Sequence, residues 1–355
     1  MDACSTSYLP PASHLATPPD SPTFGARPST SLVSLTSPST FEEAYEVLEL
    51  IGSGGYGSVV KAARRSDGMV CAVKLISRAN LNPHRLIKVQ FCGDDSVPGM
   101  KSYGKSVCMV PVEVYALRRI VHDGIVGFVD LFQDEAFFYL AMEYHGSEWL
   151  GGDLSHKDFT AGSPPNTPVS PYSSPLIRRS SSDLYQCIEE HRVLSEDVAR
   201  YVFAQIVETV QSLLDHGIVH CDLKDQNFCI DSNWKVKLID FGSAVIFDPE
   251  TSRPPLLKGL VGTRRFSAPE ILKGEWYDPV YSEVWALGII LSVLLTGDIP
   301  FSSEEGAMSG ERPLPRNKIS REARDLMSRC LEIDVNKRIK LESLRSHPWL
   351  RSAFA

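Results

Sequence analysis

The sequence predicts an α+β protein of two unequal lobes, a small strand-rich one followed by a larger helical one. Short apolar runs bounded by glycine and Asp-Gly turn signals crowd the stretch from Tyr45 to Tyr144. Helical periodicity dominates after Asp183. A length of 355 residues with 43% hydrophobic content exceeds one ordinary domain and leaves ample material for a core. Strands early and helices late are the α+β order.

Residues 1 to about 40 are dense in Ser, Thr and Pro, a composition that buries too little apolar surface to offset the entropy of ordering, so a disordered tail is expected. From Tyr45 the pattern changes. Val47, Leu48, Leu50 and Ile51 lead into Gly52-Ser53-Gly54-Gly55-Tyr56-Gly57-Ser58-Val59-Val60, which reads as strand, glycine turn, strand. Asp67-Gly68 is a hairpin signal before a β run from Val70 to Ile76. The stretch Ser77 to Met109 has no clean period, and its Gly93-Asp94-Asp95 and Pro98-Gly99 mark a long loop-like insert. Helical spacing resumes at Glu113, with Val114, Leu117, Ile120 and Val121 on one face. Ile125 to Phe132 and Ala136 to Tyr144 read as strands. A second insert, about Gly146 to Ser182, is rich in Ser-Pro and Thr-Pro pairs. Beyond it come helices from Asp183 to Glu190 and from Val198 to His216, the latter capped by Ser195 with Glu196 and Asp197 in its first turn.

The bulk numbers exclude several classes. A net charge of −8 and a pI near 5.6 leave no basic stripe for a nucleic-acid backbone, and suit basic peptides better. The eight cysteines form no Cys-x-x-Cys pair or zinc spacing, as expected of reduced intracellular thiols. The longest apolar stretch, Val284 to Leu295, is too short to span a bilayer and is interrupted by Gly288 and Ser292, so a buried core helix is expected. No segment has the order of a signal peptide. A soluble, monomeric, cytoplasmic or nuclear protein is therefore expected, without membrane or nucleic-acid partners.

The chemistry concentrates in His220-Cys221-Asp222-Leu223-Lys224-Asp225-Gln226-Asn227 and in Asp240-Phe241-Gly242. Phosphoryl transfer needs a carboxylate to orient the acceptor hydroxyl, a Lys to steady the moving group, and oxygen ligands for magnesium. Asp222, Lys224, Asn227 and Asp240 supply those types in that order. Gly52-x-Gly54-x-x-Gly57 alone is weak, because dinucleotide-binding folds share the spacing. Here a strand, Ser58 to Ala62, follows the glycines rather than a helix, which favours a β-hairpin folded over phosphates. Lys74, in Cys71-Ala72-Val73-Lys74, is either a solvated Lys on an edge strand or a phosphate-facing one, and its apolar flanks favour the second. Glu113 is its obvious carboxylate partner.

Glycine loop, Lys74, Glu113, the His220 to Asn227 loop, Asp240-Phe241-Gly242 and Ala268-Pro269-Glu270 occur in the order of the eukaryotic protein kinases, and the sequence resembles that family from about Tyr45 to Phe354. The resemblance implies the two-lobed protein kinase fold, with a small β-rich N-lobe over about 45–144 and a large helical C-lobe over about 145–355. The inserts then fall at about 77–109 and 146–182. It also implies ATP with Mg²⁺, or Mn²⁺ in its place, and protein substrates. Lys224 is similar to the serine/threonine class. Asp222 is then the catalytic base, Lys224 and the Lys74–Glu113 pair assist it, and Asn227 and Asp240 hold metal. The nucleotide would lie against Ile51, Gly52, Ser53, Gly54, Gly55, Tyr56, Gly57, Ser58, Val59, Ala72, Lys74, Met142, Glu143 and His145, with Glu143-Tyr144-His145 as the hinge. Thr263 would bridge Asp222 and Lys224, and Glu270 would pair with Arg338 to hold the large lobe together.

Val110-Pro111-Val112-Glu113-Val114, Leu238-Ile239-Asp240-Phe241-Gly242-Ser243, Gly297-Asp298-Ile299-Pro300-Phe301 and His347-Pro348-Trp349 are most similar to the Pim and PAS-kinase branch of the calcium/calmodulin-dependent group. The hinge lacks the proline of Pim kinases. Cys221 stands where most such loops carry the Arg that binds an activation-loop phosphate, so activity without that phosphorylation is expected. Asp183 resembles the acid that reads a substrate Arg, with Asp153 as a rival, and a modest basic preference follows. Arg178-Arg179-Ser180-Ser181-Ser182 has the composition of a phosphosite. Leu15-Ala16-Thr17-Pro18-Pro19-Asp20-Ser21 resembles a phosphodegron read by a ubiquitin-ligase adaptor through Thr17 and Ser21. The alternative to the enzyme is a pseudokinase scaffold, which would expect a broken member among Lys74, Asp222, Asn227 and Asp240; a small-molecule kinase is a further rival.

Overall fold

The computed structural model describes residues 40–54, 57–91, 106–147, 182–311 and 318–354. Thr17, Ser21, Gly55, Tyr56, Asp153 and Arg178 to Ser181 lie outside the described residues.

The small lobe opens with a one-turn helix, α1 (Phe41–Ala44), fixed by a reciprocal cap. Thr40 Oγ1 accepts from the Glu43 amide while the Glu43 carboxylate accepts from the Thr40 amide. Five antiparallel strands follow in the order β1-β2-β3-β7-β6: β1 (Tyr45–Gly54), β2 (Gly57–Arg64), β3 (Val70–Ser77), β6 (Phe128–Gln133) and β7 (Phe137–Glu143). The outer face of the sheet is closed by α1, with Phe41 stacked on Tyr139 and on Tyr45.

The expectation of an irregular stretch from Ser77 to Met109 is corrected. A two-stranded antiparallel hairpin, β4 (Leu86–Phe91) and β5 (Ser106–Pro111), runs through it and delivers the chain directly into α2 (Val112–Arg119). The hairpin alternates in the strand manner, with Lys88 exposed and Val89 and Val110 buried against the core. Val121 was expected on the buried face of α2 but is 86% exposed, because Ile120 turns to extended backbone and ends the helix at Arg119. Ile125 leaves the expected strand as well and bridges to Leu238 of the large lobe.

The large lobe is built on α3 (Leu184–His191), α4 (Glu196–Asp215), α5 (Pro269–Leu272), α6 (Pro279–Thr296), α7 (Glu304–Ser309), α8 (Arg321–Cys330), α9 (Leu341–Leu344) and α10 (Pro348–Arg351). Asp183 and Ser195 cap α3 and α4, as the sequence indicates for Ser195. Helix α6 is long and apolar enough to cross a membrane, yet 83% of it is buried inside the fold, where α4 and α8 pack on it. Its fully buried Trp285 stacks on Phe301 at 5.3 Å. Short strands finish the lobe beneath the sheet: β8 (Ile218–Val219) pairs with β11 (Val245–Ile246), β9 (Phe228–Ile230) with β10 (Val236–Leu238), and β12 (Leu257–Lys258) with β13 (Trp276–Tyr277). The chain leaving β8 enters His220 to Asn227, and the chain leaving β10 enters Asp240-Phe241-Gly242, whose Asp240 meets Lys74 of the small lobe.

Candidate active site

The roof of the cleft is the β1–β2 hairpin, closed by the pairs Ser53↔Ser58 and Gly54↔Gly57. Gly57 has φ of 140°, and a Cβ there would sit 2.0 Å from the Leu75 carbonyl oxygen, so only glycine lets β2 start this close to β3. Ile51 and Gly52 lead into the turn, and Val59 lies opposite both Gly52 and Lys74. Ala72 pairs with Met142 across β3 and β7, placing the two expected pocket residues side by side. The hinge side chains are engaged elsewhere. The Glu143 carboxylate accepts from Gly127 N–H at 3.0 Å and pairs with Lys237 at 2.9 Å, and the His145 ring meets the Lys235 carbonyl at 3.0 Å.

Lys74 is not a solvated edge residue: it is 7% exposed. Its Nζ lies 2.9 and 2.7 Å from the two Glu113 oxygens and 2.7 Å from Asp240 Oδ1. Burial opposes its charge, but the two carboxylates outweigh burial and hold its pKa above the ordinary value, so it stays an ammonium. Glu113 is 2% exposed, and burial raises its carboxyl against the pull of Lys74. Burial works the same way on Asp240, but there Lys74 prevails and the pKa falls. Asp240 sits in the left-handed region at φ of 62°, which rotates its carboxylate toward Lys74 and drives Phe241 into the core beneath α2. The His220 ring meets Phe241 edge-on at 5.0 Å and the Ile239 carbonyl at 3.0 Å; burial lowers its pKa, which keeps it neutral.

Asp222, Lys224, Asn227 and Thr263 converge opposite. Lys224 Nζ donates to Asp222 Oδ2 at 3.0 Å and to Thr263 Oγ1 at 2.9 Å, and the Thr263 hydroxyl donates to Asp222 Oδ1 at 2.7 Å. Gly262, at φ of 84°, makes this closure feasible, since a Cβ there would meet the Cys221 carbonyl oxygen at 2.3 Å. Asn227 Nδ2 donates to the Asp222 carbonyl at 2.7 Å, which leaves its amide oxygen available as a metal ligand. Among the described residues no group of three or more His, Cys, Asp or Glu is gathered as a metal site. An Asn oxygen and an Asp carboxylate fit Mg²⁺ well, because that ion takes one or two protein oxygens and completes its shell with phosphates and water.

Asp183 lies at the edge of this cluster, close enough to Asp225 to act on it electrostatically. Its Oδ1 accepts from the Gln186 amide at 2.8 Å as the cap of α3, and its backbone bridges to Cys229. Glu270 and Arg338 form a separate buried pair. The guanidinium meets both carboxylate oxygens at 2.7 and 3.0 Å, donates to the carbonyls of Glu332 and Tyr281 at 2.9 Å, and lies over the Trp285 ring.

Sequence reasoning missed two acids. Glu283 on α6 is 4% exposed, and its Oε1 accepts from the Cys221 amide at 2.9 Å. Burial pushes its carboxyl up to about 7, partly relieved by the Cys221 and His220 amides. Cys221 itself has φ of 63°, and burial raises its thiol well above the ordinary value, which marks it as unreactive. Asp225, beside the catalytic residues, is raised to about 6, first by burial and further by Asp183 nearby. A lone Glu in an apolar helix carried no signal. Asp225 was visible within the loop, but its residue type did not signal its burial.

Comparison with known proteins agrees with this geometry. The family profile described as protein kinase domain matches residues 45–161 and 177–350. The chain is 30% identical to the serine/threonine-protein kinase pim-2 of Danio rerio over 319 residues, covering 87% of this chain and 86% of that protein. It is 29% identical to the serine/threonine-protein kinase GIN4 of Saccharomyces cerevisiae, covering 85% of this chain but 24% of that protein. It is also 28% identical to the PAS domain-containing serine/threonine-protein kinase of Mus musculus, covering 87% of this chain and 19% of the relative. The chain thus spans a quarter or less of the last two relatives and most of the first. With a two-lobed fold, a buried Lys–Glu pair and a profile match over most of its length, the chain belongs to the protein kinase family, on its serine/threonine branch.

Proposed function

We propose that this kinase transfers the γ-phosphoryl group of ATP, with Mg²⁺, to serine or threonine hydroxyls of protein substrates without requiring a phosphate on its own activation segment. The observation that carries the reading is the pairing of two preassembled clusters across one cleft: Lys74 between Glu113 and Asp240, and Asp222 tied to Lys224 through Thr263. Bound Mg·ATP supplies the phosphoryl group and the counter-charge for its oxygens. Asp222 accepts and orients the acceptor hydroxyl and takes its proton. Lys224 faces the same position with a fixed positive charge, already aimed by Asp222 and Thr263. Lys74 is kept charged and immobile by Glu113, and Asn227 and Asp240 present oxygens for the metal. The β1–β2 hairpin excludes water from above, and adenine recognition falls to the hinge backbone, since the Glu143 carboxylate is engaged by Gly127 N–H and Lys237 and the His145 ring by the Lys235 carbonyl. None of Lys74, Asp222, Asn227 and Asp240 is replaced, so nothing favours a scaffold without turnover.

Independence from phosphorylation is supported by how the catalytic loop is held. Cys221 offers no charge for a phosphate, and its backbone is anchored to Glu283 instead. Full activity after phosphatase treatment is expected; loss of activity traced to one residue between Ser243 and Ser267 would overturn the reading. A modest preference for basic substrates is supported by the half-buried carboxylate of Asp183 at the head of α3, which lies near Asp225 of the catalytic loop. A positional peptide array should show selection for Arg, and an array without it would reject the preference.

A further inference from the structure

A half-buried arginine of the small lobe reaches the segment that follows Asp240-Phe241-Gly242. Arg85 ends a short 3-10 turn, Pro83–Arg85, opened by Asn82, whose Oδ1 accepts from the His84 amide at 3.0 Å. Its Nη1 donates to the Ala244 carbonyl at 3.1 Å, across 159 residues of sequence. Both ends of this contact are held firmly. Leu86, the next residue, pairs with Pro111 at the base of the β4–β5 hairpin, two residues before Glu113. Ala244 is 3% exposed and precedes Val245, which pairs with Val219 of β8, the strand that delivers His220 and Cys221.

The guanidinium therefore ties the root of α2 to the start of the activation segment, in parallel with the Lys74–Glu113–Asp240 cluster. It is also close enough to the Cys221 thiol and the Tyr277 phenol to act on both electrostatically. Arginine suits such a post because it carries five donors in a rigid, permanently charged fork, and a hydrogen bond from a charged donor to a buried carbonyl is stronger than a neutral one.

We propose that Arg85 is a positioning residue for phosphoryl transfer, holding the backbone just after Asp240-Phe241-Gly242 from the small-lobe side in place of the arginine that the catalytic loop lacks at position 221. The β3–α2 connection thereby becomes part of the machinery that sets the active conformation: a shift of the hairpin moves Glu113 and the segment together. The inference deepens the reading that the segment is set without a phosphate, and rests on it.

The test is steady-state kinetics with Mg·ATP and a basic Ser-containing peptide for the parent, Arg85→Ala and Arg85→Lys, alongside hydrogen exchange of the amides from 244 to 247. Arg85→Ala should lower kcat about tenfold, the scale of one charge-assisted hydrogen bond, with KM for ATP within about twofold of the parent. The 244–247 amides should exchange faster. Arg85→Lys, which keeps the charge and loses the fork, should fall between, and it decides the question where the alanine variant does not fold. A kcat within twofold of the parent in Arg85→Ala, or a loss of activity with unchanged exchange at 244–247, overturns the proposal. Phosphatase treatment of the parent tests the underlying reading separately, because the exchange difference does not depend on it.

Discussion

Replacing Glu283 with Gln should make the protein more stable at alkaline pH than it is with its own residue. Glu283 ionises at an ordinary 4.5 when exposed and at about 7 in the folded protein, where it is 4% exposed. Between those values the folded state keeps a proton that the unfolded state has released, so folding stability is lost as pH rises from 4.5 through about 7. At about 1.4 kcal/mol per unit, the gap amounts to about 3 kcal/mol, an upper figure for a site this buried. Gln is neutral throughout and still offers an oxygen to the Cys221 amide. The difference in Tm, variant minus parent, should therefore grow between pH 5 and pH 8 by about 3–5 °C for a protein of this size, and thermal unfolding by circular dichroism at unit pH steps measures it. Glu283→Ala is the contrast: it leaves the Cys221 and His220 amides without an acceptor and should be destabilising at every pH by about 1–3 kcal/mol. A Gln variant less stable than the parent at pH 8, or a Tm difference flat in pH, would refute the buried-carboxylate account of how the catalytic loop is anchored.

Two further outcomes follow from the same geometry. Thr263→Val keeps the shape and removes a hydroxyl that donates to Asp222 and accepts from Lys224, so kcat should fall about ten- to a hundredfold while nucleotide affinity, measured by titration calorimetry, is nearly unchanged. Glu270→Ala strands the fully buried Arg338 guanidinium and should cost about 3–5 kcal/mol by denaturant unfolding, whereas Glu270→Ala combined with Arg338→Met should recover part of that loss.

The site was legible because its chemistry restricts residue type at fixed offsets. Lys74, Asp222, Lys224, Asn227 and Asp240 have side chains that few others replace, and the structure brings them to one cleft. Glu270 and Arg338 were legible for the same reason, although 68 residues separate them. Other parts were hidden by their physics. The β4–β5 hairpin alternates only over two six-residue runs, and the turn-rich residues between them masked the period. Val121 fitted the helical face of α2, but the helix ended two residues too soon for it. Glu283 acts by accepting backbone amides and Arg85 by donating to a backbone carbonyl, and backbone partners leave no mark in sequence. Asp183 was expected as a substrate contact; the fold also uses it as the cap of α3.

The account rests on Asp222 acting as the base of a working phosphotransferase. The direct measurement is transfer of label from γ-labelled ATP, with Mg²⁺, to an arrayed Ser/Thr peptide library by the parent and by Asp222→Asn, both checked for folding. The parent should label serine or threonine peptides, and Asp222→Asn should be slower by about a thousandfold, within the range for loss of a general base. Equal labelling by the two proteins, or a folded parent that binds nucleotide and transfers nothing, would contradict it.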